Sequence, residues 1–187
     1  MVGRFQRGDK TAFDDLVRKH GQRVSRFACH LTKNGDEAAD IVANTFYRAF
    51  RSLEGFKGDS SFICWLYRIE LNCFLDLRKK THSRSTVSLD EPPFRRGGQA
   101  ALQLVDRGES AQEHVERSER IHEIEGAIGC LSLNQRRILM MYQAEAMSYE
   151  DIALVMGIPL GTVKSRLNRA RIRIRQIIRI RRNRIVK

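Results

Sequence analysis

SYEDIALVMGIPLGTVKSRLNRARIRIR, residues 148–175, decides the architecture. Ser148-Tyr149-Glu150-Asp151 opens a short helix, Ile152–Met156. Gly157-Ile158-Pro159 interrupts it, and Pro159 suits a first helical position. A longer helix follows, with Val163, Leu167, Ala170, Ile174 and Ile177 along one face. Short helix, Gly-containing turn and basic second helix make the helix-turn-helix pattern. The second helix of such a unit lies in the major groove, its early side chains at base edges. Here those are Thr162, Lys164, Ser165, Asn168 and Arg169, interleaved with inward Val163 and Leu167. From Thr162 to Lys187 there are 11 basic residues and no acidic one, a density that calls for a polyanion to screen it. Arg171-Ile172-Arg173-Ile174-Arg175 alternates with period two, but the 3.6-residue period from Val163 to Ile177 favours helix. Ile172, Ile178 and Ile180 then fall off the main stripe and are expected at the surface. Upstream, Ser132 and Gln135 have capping-box spacing and open a helix carrying Ile138, Leu139, Met141 and Tyr142.

Working back along the chain, Thr81–Gly108 changes texture. It holds Pro92-Pro93, Gly97-Gly98 and little helical periodicity, and reads as a flexible linker. Charge divides the same way. Residues 1–80 carry 15 basic and 10 acidic side chains, residues 81–120 carry 6 and 7, and residues 121–187 carry 13 and 5. The expected organisation is all-α: a helical module over 1–80, a linker over 81–118 and a helix-turn-helix module over 119–187.

In the first module, Phe13, Leu16, Val17, His20, Val24, Phe27 and Leu31 recur at helical steps. Lys33-Asn34-Gly35-Asp36 breaks that helix and can cap the next, Asp36–Phe50, which puts Ala38, Ile41, Val42, Thr45 and Ala49 on one side. A third helix starts where Asp59 or Ser60 can cap it. Its apolar stripe is Phe62, Leu66, Ile69, Cys73 and Leu77. A second stripe, Trp65, Arg68, Asn72 and Asp76, is aromatic and polar, and Arg78, Lys79 and Lys80 close the helix. A ring beside guanidinium and amide groups suits unpaired bases and phosphates. Burial of Trp65 in the core, with the rest a solvated face, fits the pattern equally well.

The whole chain has 187 residues and a net charge of +12, which points to nucleic acid or an anionic surface. No stretch is apolar enough to span a membrane, and the N-terminus lacks a signal core, so a cytoplasmic protein without membrane insertion is expected. Cys29, Cys64, Cys73 and Cys130 lack CxxC spacing and read as reduced thiols. Cys29-His30 with Cys64 or Cys73 is a weak metal candidate, outweighed by ordinary buried cysteines. No nucleotide-binding, protease or hydrolase motif is present, so no enzyme, cofactor or metal is expected.

These residues resemble a known family. DEAADIVANTFYRAF (Asp36–Phe50) with GFKGDSSFICWLYRIELNCFLDLRKK (Gly55–Lys80) is similar to the second conserved region of bacterial sigma factors. LSLNQRRILMMYQAEAMSYEDIALVMGIPLGTVKSRLNRARIRIR (Leu131–Arg175) is similar to their fourth region, and VSLDEPP to their linker. The two-domain form resembles the extracytoplasmic-function group. The resemblance implies core RNA polymerase, promoter DNA and an anti-sigma factor as partners. It implies that Asp36–Phe50 docks on the polymerase clamp, where Glu37, Asp40, Asn44, Tyr47 and Arg48 face outward. It implies that the Leu53–Ser61 loop and third helix hold the unpaired −10 strand, through Phe56, Ser60, Ser61, Trp65, Arg68, Asn72, Asp76 and Arg78. The −35 surface would be Thr162, Lys164, Ser165, Arg166, Asn168, Arg169 and Arg171, with Arg173, Arg175, Arg179, Arg181 and Arg182 on phosphates or polymerase. Ala39, Ala43-Asn44, Glu70 and Cys73 depart from the family pattern. The competing reading is a stand-alone helix-turn-helix regulator; a membrane-surface helix explains only the Arg/Ile tail.

Overall fold

Side chains of Asn34, Ser61, Ser132 and Ser148 set where four of the helices begin. Asn34 accepts from the amides of Asp36 (2.9 Å) and Glu37 (3.4 Å) and starts α3, Gly35–Ser52. Ser61, and not the expected Asp59 or Ser60, accepts from the Cys64 amide at 3.3 Å and starts α4, Phe62–Arg84. Ser132 and Gln135 form the expected capping box of α6, Leu133–Gln143. Ser148 accepts from the Asp151 amide at 3.0 Å and starts α7, Tyr149–Met156. Gly157 ends α7 at φ 62°, a left-handed turn that favours glycine. Pro159 stands just ahead of α8, Leu160–Ile185, its carbonyl accepting from Thr162 at 2.9 Å.

The chain is described by a computed structural model over residues 1–32, 34–84 and 111–185. The Thr81–Gly108 linker lies outside the described residues from residue 85 onward. A short helix, α1, Val2–Gln6, and a long one, α2, Ala12–Thr32, complete the first half. Helix α4 continues to Arg84, and α5, Ala111–Gly129, leads into the second half. Among the described residues there is no strand, and Arg171–Arg175 is helical.

Phe5, Phe13, Leu16, Val24, Ala49, Leu53 and Leu66 build one core, closed by α1. The second core runs through both halves. Phe27, Leu31, Ile41, Cys64, Tyr67, Leu71 and Phe74 are continuous with Ile138, Met141, Ile152, Val155, Val163 and Leu167. The cause is a third face of α4. Cys64, Tyr67, Leu71 and Phe74 fall at steps of three, four and three, all buried, and α7 packs there. In the second half, α8 lies on α5, α6 and α7. Arg136 donates to the Gly129 and Leu131 carbonyls (2.9 and 3.2 Å), and Arg181 to those of Glu123 and Gly126 (3.5 and 3.4 Å). Two of these acceptors, Gly126 and Gly129, are among the last four carbonyls of α5, which lack partners within the helix.

Glu70 is fully buried on α4, and neither carboxylate oxygen has a hydrogen-bond partner. Burial, reinforced by the nearby Glu145 carboxylate, pushes its pKa well above the ordinary carboxylate range. A raised pKa means that folding favours the protonated form. Its contribution is therefore intact below about pH 4.3 and is lost as pH rises toward the folded-state value. Glu70→Gln keeps the shape without the titration. We expect it to raise the melting temperature at pH 7, by about 2–4 °C for each kcal/mol gained. The gain should close as pH falls to about 4. Parallel thermal melts across pH test this, and a constant difference at all pH values would contradict it.

Candidate nucleic-acid interface

The loop between α3 and α4 is held from below. Gln6 Nε2 donates to the carbonyls of Phe56 (2.8 Å), Leu53 (3.2 Å) and Glu54 (3.4 Å). Gly58 turns the chain at φ +80° before the Ser61 cap. This places the Phe56 ring 5.1 Å from Trp65 and 6.0 Å from Phe62, with Phe62 5.6 Å from Trp65. His20 packs on Phe62 at 5.3 Å, and burial lowers its pKa, favouring the neutral ring. Trp65 is half-buried: it packs against the core and keeps part of its surface accessible. Beyond it, Arg68 and Asn72 are exposed on the same face. Rings next to a guanidinium and an amide have the chemistry that stacking on unpaired bases requires.

Asp76 does not extend that platform as a free group. Its carboxylate accepts from Arg48 at 2.8 Å, tying α3 to α4. One residue expected at DNA and one expected at polymerase thus engage each other, and the pairing raises the Arg48 pKa. Arg78 lies over the Phe74 ring at 5.3 Å. Ser60 is half-buried and Ser61 is exposed while serving as the α4 cap. On α3, Asp40, Asn44, Tyr47 and Arg48 are exposed and Glu37 is half-buried; the Asn44 amide donates to the Asp40 carbonyl at 2.8 Å.

In the second half, Val163, Leu167 and Ala170 point inward, so Lys164, Asn168 and Arg169 stand exposed at the start of α8. Thr162, Ser165 and Arg166 are half-buried, and the Ser165 hydroxyl donates to the Thr162 carbonyl at 3.1 Å. Arg171 is held 5.0 Å over the Tyr142 ring. Arg181 is turned to the α5 carbonyls, not outward as expected. Ile172 and Ile180 are exposed as anticipated, but Ile178 is half-buried.

Sequence patterns missed a polar cluster between the halves. Glu145, in the turn between α6 and α7, has a side chain only 1% exposed. It accepts from the Tyr67 hydroxyl and from Arg23 Nε at 3.4 Å. Burial and the Glu145 carboxylate push the Tyr67 pKa up. Arg137 is buried with its guanidinium 4.7 Å over Phe74. Only Glu70, an acid on a helix otherwise apolar at that level, gave a local signal. Among the described residues, no group of three or more His, Cys, Asp or Glu could hold a metal, and no helix is long and apolar enough to cross a membrane.

The comparisons with known proteins cover both halves. Residues 16–84 match the model of sigma-70 region 2, and residues 121–174 that of sigma-70 region 4. The chain is 37% identical over 174 residues to the RNA polymerase sigma-H factor of Pseudomonas aeruginosa, covering 91% of this chain and 88% of the relative. It is 33% identical over 176 residues to the ECF RNA polymerase sigma-E factor of Escherichia coli K12, with coverage of 91% and 88%. Among solved structures, it is similar to the sigma factor RpoE in complex with the anti-sigma factor NepR from Bartonella quintana. That TM-score is 0.68 at 25% identity, over 90% of this chain and 98% of that one. CnrH, solved with the cytosolic domain of CnrY, shares the fold at TM-score 0.65 and 23% identity, over 96% and 95%.

Gln6→Ala removes the side-chain amide that holds the Leu53–Phe56 carbonyls. We expect a stability loss of about 0.5–1.5 kcal/mol, the net worth of such a bond. Hydrogen exchange at residues 53–58 should accelerate while α8 keeps its protection. Unchanged exchange in that loop would mean that Gln6 does not hold it.

Proposed function

The chain belongs to the sigma-70 family, in its extracytoplasmic-function branch, and from that premise we propose how its residues divide the work. It binds core RNA polymerase and directs promoter-specific initiation, region 2 reading the −10 element and region 4 the −35 element. We assign region 2 to residues 1–80, the linker to 81–118 and region 4 to 119–187. The observation that carries the residue assignments is the presence, in one chain, of two exposed surfaces of different chemistry. Phe56 and Trp65 with Arg68 and Asn72 suit an unpaired strand. Lys164, Asn168 and Arg169 at the start of a supported helix suit major-groove edges.

In this reading Phe56 and Trp65 stack on splayed bases and Asn72 bonds a base edge. Ser60, Ser61, Arg68 and Arg78 track the strand backbone, and Asp76 acts through Arg48 by fixing α4 against α3. Asp40, Asn44 and Tyr47, with Glu37 at the margin, form the polymerase-facing side of α3; Tyr47 is 63% exposed, a large ring awaiting cover. Thr162, Ser165, Arg166 and Arg171 frame the −35 reader. The bond-making chemistry belongs to the polymerase and the chain supplies recognition, as a cytoplasmic subunit. An anti-sigma factor is a further partner, supported by the RpoE–NepR complex.

Run-off transcription with purified core polymerase and genomic DNA tests the assignment against a stand-alone regulator. Discrete, sequence-defined starts are expected. Asn72→Ala should lose discrimination at −10 while retaining −35 binding. Duplex binding without any start would favour the regulator.

Reading and positioning separate along α8. In the holoenzyme, Arg169→Ala should cost about 1–3 kcal/mol on the preferred −35 element and flatten preference among single-base variants. Arg179, exposed further along, should behave differently. Arg179→Ala is expected to weaken all sequences alike and reduce the salt slope by about one. Identical specificity profiles for the two variants would erase the distinction.

A further inference from the structure

The match to sigma-70 region 4 ends at residue 174, but α8 runs on to Ile185. The inward stripe of Val163, Leu167, Ala170, Ile174 and Ile177 continues, at the same steps of three and four, to position 181. An apolar side chain is expected there, and an arginine stands in its place. Arg181 is half-buried, and its guanidinium donates to the carbonyls of Glu123 at 3.5 Å and Gly126 at 3.4 Å. Gly126 lies within α5 and is not among the glycines with positive φ, so its backbone does not call for glycine. Glycine inside a helix costs stability relative to alanine. Its use here is space, because a Cβ on Gly126 would collide with the Arg181 guanidinium. The glycine is the notch that admits the arginine, and the pair ties the end of α8 to α5.

On the outer side of the same helix, Lys164, Asn168, Arg175 and Arg179 are all exposed and fall at steps of four, seven and four, which places them on one side. Arg175 and Arg179, with Ile178 and Asn183, line a shallow depression there. Two guanidinium groups around one hollow suit phosphate oxygens. We propose that residues 175–183 form a phosphate-holding arm beyond the −35 reader, and that Gly126 and Arg181 are positioning residues that aim this arm without touching DNA. This rests on the major-groove reading of α8. The strip from Lys164 to Arg179 is about 22 Å long at 1.5 Å per residue. The groove winds around the duplex, so a straight helix of that length meets base edges at its start and a phosphate wall further along. Phosphate contacts carry no base information, so the arm adds affinity for any duplex and leaves preference to Lys164, Asn168 and Arg169. Without the Arg181 bonds, the end of α8 frays and Arg175 and Arg179 lose their fixed place beside the backbone.

Holoenzyme binding to a promoter fragment, measured across salt and across single-base −35 variants, tests the arm. Gly126→Ala changes no charge, and alanine suits the α5 helix. It should nevertheless lower the salt slope by about one, so that the affinity lost between 50 and 200 mM salt shrinks about three- to fourfold. Preference among −35 variants should stay as in the wild type. Arg179→Ala added to Gly126→Ala should lower the slope no further. Arg181→Lys keeps the charge but not the planar fork that reaches two carbonyls, and carries the same expectation if Gly126→Ala does not fold. A folded Gly126→Ala holoenzyme with the wild-type slope overturns the proposal. So does a double variant whose slope falls by a further unit, because Arg179 would then hold its phosphate without the pair. Weaker assembly with core polymerase at an unchanged DNA slope also overturns it, by turning the arm toward the polymerase. The two ideas fail separately. Wild-type binding without preference among −35 variants sinks the major-groove reading, whereas retained preference with unaltered slopes sinks the arm alone.

Discussion

Helix α4 is covered on two sides and open on a third, and the positions of the other helices follow from that division. Leu66 and Cys73 turn toward α2 and α3, while Cys64, Tyr67, Leu71 and Phe74 turn toward the C-terminal half. The remaining strip, with Trp65, Arg68 and Asn72, stays accessible. A helix offers only about 100° of turn per residue, so each strip is narrow, and moving one residue exchanges a core position for a recognition position. The aromatic platform is therefore fixed by the same backbone that buries Tyr67.

The electrostatics divide along the same lines. On the outside, Arg48 and Asp76 pair across α3 and α4 with side chains 47% and 52% exposed, so water screens most of the attraction and the pair mainly sets geometry. Inside, Glu145 and Glu70 are removed from water; Glu145 is met by Tyr67 and Arg23, and burial favours the protonated form of Glu70. Glu70 is thus the interior group whose protonation folding favours. The basic surplus is handled in a third way. Arg136, Arg171 and Arg181 engage carbonyls and a ring within region 4, whereas Lys164, Arg169 and Arg179 stand exposed.

Much of the candidate site was legible because it depends on short-range rules. The inward positions of α8 recur every three or four residues, so the exposure of Lys164, Asn168 and Arg169 followed directly. The half-burial of Trp65 was not decidable locally. It needs the Phe56 loop folded over it, and that loop is held by Gln6, 50 residues earlier. Asp76 looked like part of the DNA stripe because its partner, Arg48, lies on another helix.

The sequence by itself determined the all-helical class, most of the helices, several of their caps and the family. Each of these is written within a few residues, in a side chain that reaches its own backbone or an apolar repeat at one period. Asn34, Ser132, Ser148 and Gly157 act in this way. Only the tertiary structure decided that α4 has a second buried face and that region 4 occupies it. Tyr67 and Glu145 are 78 residues apart in the chain, and no local preference of either specifies the other. Their meeting depends on where whole helices come to rest, which is settled by the sum of many nonlocal contacts and not by any single stretch of sequence.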